Sequence, residues 1–308
     1  MRRITAHTYN AMGVFAVIAL LSFLFYGCGK KEKGVPELKF SSVTDIHIPP
    51  AGSKIPAPRS LTTGSDDKLI VLDDAGRVLI YDRSGKLVKQ WWMPDYSIGR
   101  PEGVCELKDG RIAVTDTHYS RVVIFKSDGS VDKIFGKKGK AGGEIGNPVG
   151  VSEAPDGSIY ICEYGLQDRV QQLTTDGKFI RAIGCSGVGP GEFQRPSGVI
   201  FRNGKLYVVD AVNNRIQLFS EKGKFIKSIT VKPDFYLPYD MKFDKKGNMY
   251  VVEYGNNCIT KLNRDGKLIG RYKPLTNRFQ TPWGITVDTK GVVYVADTGN
   301  RRIVRLEK

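Results

Sequence analysis

Six prolines, Pro58, Pro101, Pro148, Pro196, Pro238 and Pro282, each open a copy of one pattern, at intervals of 43, 47, 48, 42 and 44 residues. Three positions after each proline stands an apolar residue: Leu61, Val104, Val151, Val199, Met241 and Ile285. Fourteen or fifteen positions after it stands an acid: Asp73, Asp116, Glu163, Asp210, Glu253 and Asp297. Four to six residues beyond the acid comes an arginine, at Arg77, Arg121, Arg169, Arg215 and Arg302, with Cys258 in that place in the fifth copy. A period of this length is that of one propeller blade.

Inside each copy the punctuation is regular. One glycine turn divides the first two apolar runs (KDGR, PDGS, RNGK, KKGN, TKGV), and another divides the last two (RSGK, SDGS, TDGK, EKGK, RDGK). Glycine accepts the positive φ of tight hairpins, and a preceding Asp or Asn assists. Runs such as KLYVVD, SIYICE and NMYVVE are rich in β-branched and aromatic residues, and beyond the first 30 residues no stretch holds a 3.6-residue apolar period. The 35 glycines and 15 prolines are spread along the chain, as many short strands joined by tight turns require. Each copy therefore reads as four antiparallel strands, a to d, and six such sheets around an axis predict an all-β, six-bladed β-propeller. The last copy stops after its third strand, RRIVRLEK. Residues 37–50, with Leu38, Phe40, Val43, Ile46 and Ile48, belong to no other blade. They are expected to supply the missing strand and close the ring, hiding an otherwise unpaired edge.

The aligned copies resemble NHL repeats. RPSGVIFRNGKLYVVDAVNNRIQLFSEKGKFIKSI (residues 195–229) follows that family's pattern, as does TPWGITVDTKGVVYVADTGNRRIVRLE (residues 281–307). GVGPGEFQRP (residues 187–196) matches its glycine-rich lead-in. The likeness covers about 250 residues, is weakest in the first copy, and extends to bacterial NHL-repeat lipoproteins. It implies the propeller fold and leaves function open, because propellers host unrelated activities.

Arg2 and Arg3 precede AMGVFAVIALLSFLFYG, seventeen uncharged residues, and then Cys28. This is the layout of an export signal. The cysteine after the apolar run resembles the lipobox of bacterial lipoproteins, which implies cleavage before Cys28 and lipidation of it. Phe25 and Tyr26 depart from that motif's usual Leu and small residue. The chain thus divides into a lipoprotein-type signal peptide (1–27), a short tether (28–36) and a propeller (37–308), held at a membrane in the bacterial envelope outside the cytoplasm. An uncleaved anchor helix with an incidental cysteine gives the same placement. Loss of residues 1–27, with two arginines and no acids, lowers the net charge from +15 to +13. Such a field attracts anionic glycans, lipid head groups or acidic proteins. Cys105, Cys162, Cys185 and Cys258 show no disulfide or metal spacing and are read mostly as small core residues.

Propeller topology gathers the loop entering strand a and the loop joining b to c on one face, around the axis. The acids and arginines of the repeat recur there in nearly every blade, which marks them as a structural ring. Ligand binding is expected from loop side chains that differ between blades. In the b–c loops these are His118 and Tyr119, Tyr164 and Gln167, Asn213 and Asn214, and Tyr254, Asn256 and Asn257. At the proline turns they are Glu102, Tyr239 and Trp283, and Arg121, Arg215 and Arg302 complete the candidate surface. Aromatic and amide groups beside arginines suit sugars, peptides or acidic groups.

The first functional reading is a monomeric binding or scaffold module for a protein, peptide or acidic glycan. The second is a hydrolase or lyase at the same mouth, as in lactonase-like and amidoglycolate-lyase-like propellers, with Glu102, His118 and Tyr119 as the nearest acid–base groups. The exported part holds only His47 and His118, too few for a histidine-rich zinc site. No cofactor is predicted, and an oxygen-only calcium site is the one metal site left open. GVGPGEF lacks the lysine and following helix of a phosphate loop. Nucleic-acid binding ranks last, because export separates the chain from RNA and no aromatic stacking array is evident.

Overall fold

The computed structural model describes residues 34–97 and 100–308. The expected signal peptide (1–27), Cys28 and most of the expected tether (28–36) lie outside the described residues. Six four-stranded antiparallel sheets form the propeller. Blade 1 is Pro58–Thr63, Leu69–Asp73, Arg77–Tyr81 and Leu87–Trp92, and blade 2 is Pro101–Glu106, Ile112–Asp116, Arg121–Phe125 and Val131–Phe135. Blade 3 is Asn147–Glu153, Ile159–Tyr164, Arg169–Leu173 and Phe179–Ile183. Blade 4 is Pro196–Arg202, Lys205–Asp210, Arg215–Ser220 and Phe225–Ile229, and blade 5 is Pro238–Phe243, Met249–Glu253, Cys258–Leu262 and Leu268–Tyr272. In all five the strands pair in chain order a, b, c, d.

Blade 6 takes three strands from the C-terminus, Ile285–Val287, Val293–Asp297 and Arg302–Glu307, and its outer strand from Ser42–His47. That outer strand runs antiparallel to Arg302–Glu307 through six residue pairs, from Ser42↔Glu307 to His47↔Arg302. The ring is closed as the truncated last copy requires. The closing strand is shorter than residues 37–50 because the segment before it is engaged elsewhere. Glu37 bridges in parallel to Arg271 of blade 5, and Phe40 stands edge-on to Tyr272 with ring centroids 5.0 Å apart.

Strands b and c are buried along almost their whole length, because each sheet packs both faces on its neighbours. Such strands read as near-continuous apolar runs instead of alternating ones. The cores are accordingly interblade. Ile70, Leu72 and Val78 of blade 1 pack with Val104, Val114 and Phe125 of blade 2. Ile46 and Ile48 of the N-terminal segment join Leu69 and Leu79 of blade 1 and Ile303 of blade 6. Each side chain buried this way contributes roughly 2 kcal/mol. Cys162 and Cys258 belong to these cores, whereas Cys185 is exposed, lying in a two-residue parallel pairing between Cys185–Ser186 and Glu192–Phe193. Among the described residues, Cys105, Cys162, Cys185 and Cys258 form no disulfide.

Two glycine positions show why the repeat needs that residue. In the a–b turn of blade 2, Gly110 has φ +84°, a left-handed conformation that suits glycine. At the axis the inner strands converge, and the second residue after the proline is glycine in four blades. A Cβ on Gly103 would lie 1.9 Å from the carbonyl oxygen of Val149 in the next blade.

Candidate functional site

Each acid of the repeat is fully buried and fastens the loop that enters strand a. In blade 4, Asp210 accepts the N–H of Gln194 at 2.7 Å and the Nε of Arg215 at 2.8 Å. Arg215 Nη2 then donates to the carbonyls of Gly189 at 2.7 Å and Glu192 at 2.8 Å. The same clasp joins Asp73 to Arg77, Asp116 to Arg121, Glu163 to Arg169 and Asp297 to Arg302. Blade 5, which has Cys258 where the others have arginine, completes its clasp from strand d. Arg271 Nε lies 3.3 Å from Glu253 Oε1, and its Nη2 donates to the carbonyls of Pro233 and Asp234. A buried arginine paired with an acid and with backbone carbonyls is a stable arrangement, and losing one partner strands the other.

The residue directly after the proline differs in all six blades, Arg59, Glu102, Val149, Ser197, Tyr239 and Trp283, and all but Val149 line the axial channel. Arg59 forms a buried ion pair with Glu102 of the adjacent blade. Its guanidinium carbon lies 3.8 Å from the ring centroid of Trp283 on its other side, a cation–π stack. Tyr239 stacks on Trp283 with centroids 4.9 Å apart and donates its hydroxyl to Glu102 Oε2 at 3.3 Å. Tyr254 extends this aromatic wall, 6.3 Å from Trp283. Arg195, just before the blade 4 proline, lies 4.5 Å over Tyr164. Below them the axis narrows to a space of about 20 Å³ beside Asp240 and Lys242, room for about one water. A ligand larger than a water molecule therefore meets the mouth and not this space.

At the mouth the arginine stays charged and the phenols stay protonated. The pKa of Arg195 is raised: burial works against its charge, and Tyr239, Tyr164 and Glu102 outweigh that effect. Burial pushes the Tyr239 and Tyr164 hydroxyls up, with the Glu102 charge adding to it, so both remain proton donors. His118 is shifted down, first by burial and then by Arg100 and Arg59 against the pull of Glu102. Its imidazole is thus neutral at neutral pH. Arg59 Nε is buried with no hydrogen-bond partner among the protein atoms. Arg59, 7% exposed, thus keeps a buried donor without a protein partner, as do Trp91, Arg181 and Arg305 elsewhere, and of these it is the one that lies at the mouth.

Glu102, Tyr164, Tyr239, Tyr254 and Trp283 thus meet at the mouth, with His118 on its rim. The other candidate residues are engaged in holding loops. Asn213 donates to Asp210, Asn256 donates to Glu253, and Asn214 Oδ1 accepts the Leu237 N–H across the blade boundary at 2.8 Å. Tyr119 covers Arg121 at 4.3 Å, and Arg121, Arg215 and Arg302 are the arginines of the clasps. Arg59 and Arg195 escape notice in the sequence because, beside their prolines, they resemble the many other arginines of a basic chain. The position after the proline carries the signal, since it alone differs in every copy. Among the described residues no three His, Cys, Asp or Glu side chains converge as a metal ion would need.

The NHL repeat family matches residues 279–306, the sixth-blade hairpin. NHL repeat-containing protein 3 of Homo sapiens is 26% identical over 164 residues, which cover 48% of this chain and 46% of that protein. RING finger protein nhl-1 of Caenorhabditis elegans is 26% identical over 212 residues, 58% of this chain and 22% of that protein. The chain spans less than half the length of these curated relatives. Among solved structures, virginiamycin B lyase from Staphylococcus aureus superposes with a TM-score of 0.64 at 17% identity, covering 87% of this chain and 99% of that one. A gluconolactonase from Xanthomonas campestris gives 0.66 at 16% identity, covering 86% and 89%. At such identity the likeness is one of fold. With an NHL repeat in its last blade, relatives named for the same repeat, and six four-stranded sheets in a closed ring, this chain is a six-bladed β-propeller that carries an NHL repeat.

Proposed function

We propose that the protein is a membrane-tethered binding module outside the bacterial cytoplasm, and that its channel mouth holds an acidic group of a protein, peptide or glycan. The observation that carries this is the single-copy cluster in which Arg59 lies between Glu102 and Trp283 with an unpartnered Nε, while Arg195 brings a second cation. Two guanidinium groups against one carboxylate favour an anion, and the Trp283, Tyr239 and Tyr254 wall offers a face to a sugar ring or an aromatic side chain. The tether is supported by Arg2, Arg3, the apolar run and Cys28. A pull-down from native envelope tests the site: wild type is expected to retain a partner that a triple variant, Tyr239→Ala with Trp283→Ala and His118→Ala, loses. Equal recovery by both overturns it. Fatty-acid labelling tests the tether, and absence of label from wild type and Cys28→Ser alike overturns lipidation.

A second reading, a lyase or hydrolase at the same mouth, is favoured by the contact between the Tyr239 hydroxyl, a proton donor, and Glu102. Lactone or amidated-substrate turnover that vanishes in Glu102→Gln would place this reading first.

A further inference from the structure

The face opposite the channel mouth carries the a–b and c–d turns, and its charges are unevenly matched around the ring. In blades 1 and 2 three turn cations, Lys68, Arg83 and Arg111, have carboxylate partners, and three, Lys86, Lys108 and Lys126, have none among the described residues. Lys68 pairs with Asp66, and Arg111 pairs with Asp109 at 2.8 Å and Asp132 at 2.9 Å. In blades 4 and 5, Lys205, Lys222, Lys224, Lys245, Lys246 and Lys267 are exposed, and none lies within ion-pair distance of a carboxylate among the described residues. The nearby Asp244 is taken by Lys261 at 3.6 Å and by Asn248. These turns form one surface. Arg202 of blade 4 lies over the Phe243 ring of blade 5 at 4.9 Å, Lys227 Nζ donates to the Asp265 carbonyl at 3.2 Å, and Arg264 reaches the Lys246 carbonyl. Ile226 and Ile269 stand on the outer strands beside it, 46% and 37% exposed. Unpaired cations beside exposed aliphatic side chains are the composition of a surface that meets anionic head groups.

The path of the chain points to the same sector. Arg271 N–H donates to the Pro36 carbonyl at 2.9 Å, and Leu38 N–H donates to the Arg271 carbonyl at 2.8 Å, in parallel pairing. Parallel pairing brings the chain into the domain alongside strand d of blade 5 from the side of Lys267. The sequence just upstream adds Lys30, Lys31 and Lys33. Cys28 is eight residues before Pro36, a reach of at most about 28 Å. We infer that the basic sector of blades 4 and 5 docks the propeller on an anionic lipid surface beside its tether. The channel mouth, on the opposite face, is thereby turned away from the membrane toward its ligand. The inference rests on the tethered reading above, and it assigns the sector a role that the mouth does not share.

The test is amide hydrogen exchange on the full chain associated with vesicles. On vesicles with about 30% phosphatidylglycerol, residues 202–205, 222–227, 245–246 and 264–267 should exchange about tenfold more slowly than on pure phosphatidylcholine, and about 0.5 M NaCl should abolish the difference. A variant with Lys222→Glu, Lys224→Glu, Lys245→Glu and Lys246→Glu should keep its melting temperature and lose the protection, since each lysine contributes about fivefold in vesicle affinity. Equal exchange on both vesicle types, or protection indifferent to salt, overturns docking even if the variant proves unstable. Protection by a soluble sulfated polysaccharide with none from either vesicle also overturns it, in favour of a polyanion ligand. Association of the full chain with uncharged vesicles reads the tether separately.

Discussion

The clasp of blade 4 and the channel mouth both centre on a buried arginine paired with an acid, yet they leave it in opposite states. Arg215 has its ion pair to Asp210 and two carbonyls of its own blade's entry loop. Arg59 has one ion pair to a neighbouring blade, an aromatic ring beneath it and an Nε without a protein partner. Every blade repeats a buried acid–arginine pair that reaches its entry loop, in blade 5 with Arg271 of strand d, and none repeats the second arrangement. In a repeat fold, charge satisfied within the repeating unit is architecture. Charge satisfied by a one-off set of neighbours is where the fold has been adapted to something outside itself.

The sharpest way to break this comparison is to open the ring, because both arrangements need it closed. Deleting residues 42–47 removes the partner of Arg302–Glu307 and unseats Ile46, which is 9% exposed. Loss of the cooperative thermal transition by circular dichroism is expected, and an unchanged melting curve would refute closure. Next in size is Asp210→Ala. It leaves Arg215 and Gln217 without their carboxylate in a buried site, at a cost of about 3–5 kcal/mol in urea unfolding. A cost below about 1 kcal/mol would remove the structural assignment of the ring. Trp283→Ala should cost less, about 2 kcal/mol from the lost stack with Tyr239 and Arg59, while abolishing partner capture. Were it to destabilise as much as Asp210→Ala and leave capture intact, the roles of the two arrangements would be reversed.

Most of the fold was written in the sequence because a blade is a local object. Its four strands and three turns lie within about 45 residues, and glycine turns with alternating apolar runs specify it without reference to distant contacts. Even the ring closure was legible, since a missing fourth strand demands a donor. The clasp of blade 5 was not. Cys258 breaks the pattern, and its replacement, Arg271, sits on strand d, a position that no spacing rule within the repeat connects to Glu253. The mouth was half legible. Glu102, Tyr239 and Trp283 stand out after their prolines, but Arg59 and Arg195 resemble the many other arginines of a basic chain. Only the convergence of six blades on one axis reveals that they share a site with Tyr164 and Tyr254.

Asp240 tests whether the comparison extends down the channel. At the second position after the proline the other blades have glycine or serine, so this carboxylate is as singular as the mouth. It accepts the N–H of Met241 at 2.8 Å and of Ile285 at 3.2 Å, with Lys242 two residues along the same strand. Burial raises its pKa, and Lys242 and the two N–H groups only partly offset that. A carboxyl whose pKa is higher folded than unfolded binds its proton more tightly in the native state. Its contribution to stability is therefore complete below the unfolded value of 3.8 and is lost as pH rises through the folded value. Asp240→Asn removes the charged form while keeping an acceptor for those N–H groups. The variant should be more stable than wild type in urea at neutral pH, by a margin that shrinks as pH falls toward about 4. A variant that is instead less stable at neutral pH would mean that the carboxylate and Lys242 act as a compensated pair. Asp240 would then join the clasps as architecture, and the singular chemistry of this propeller would end at the mouth.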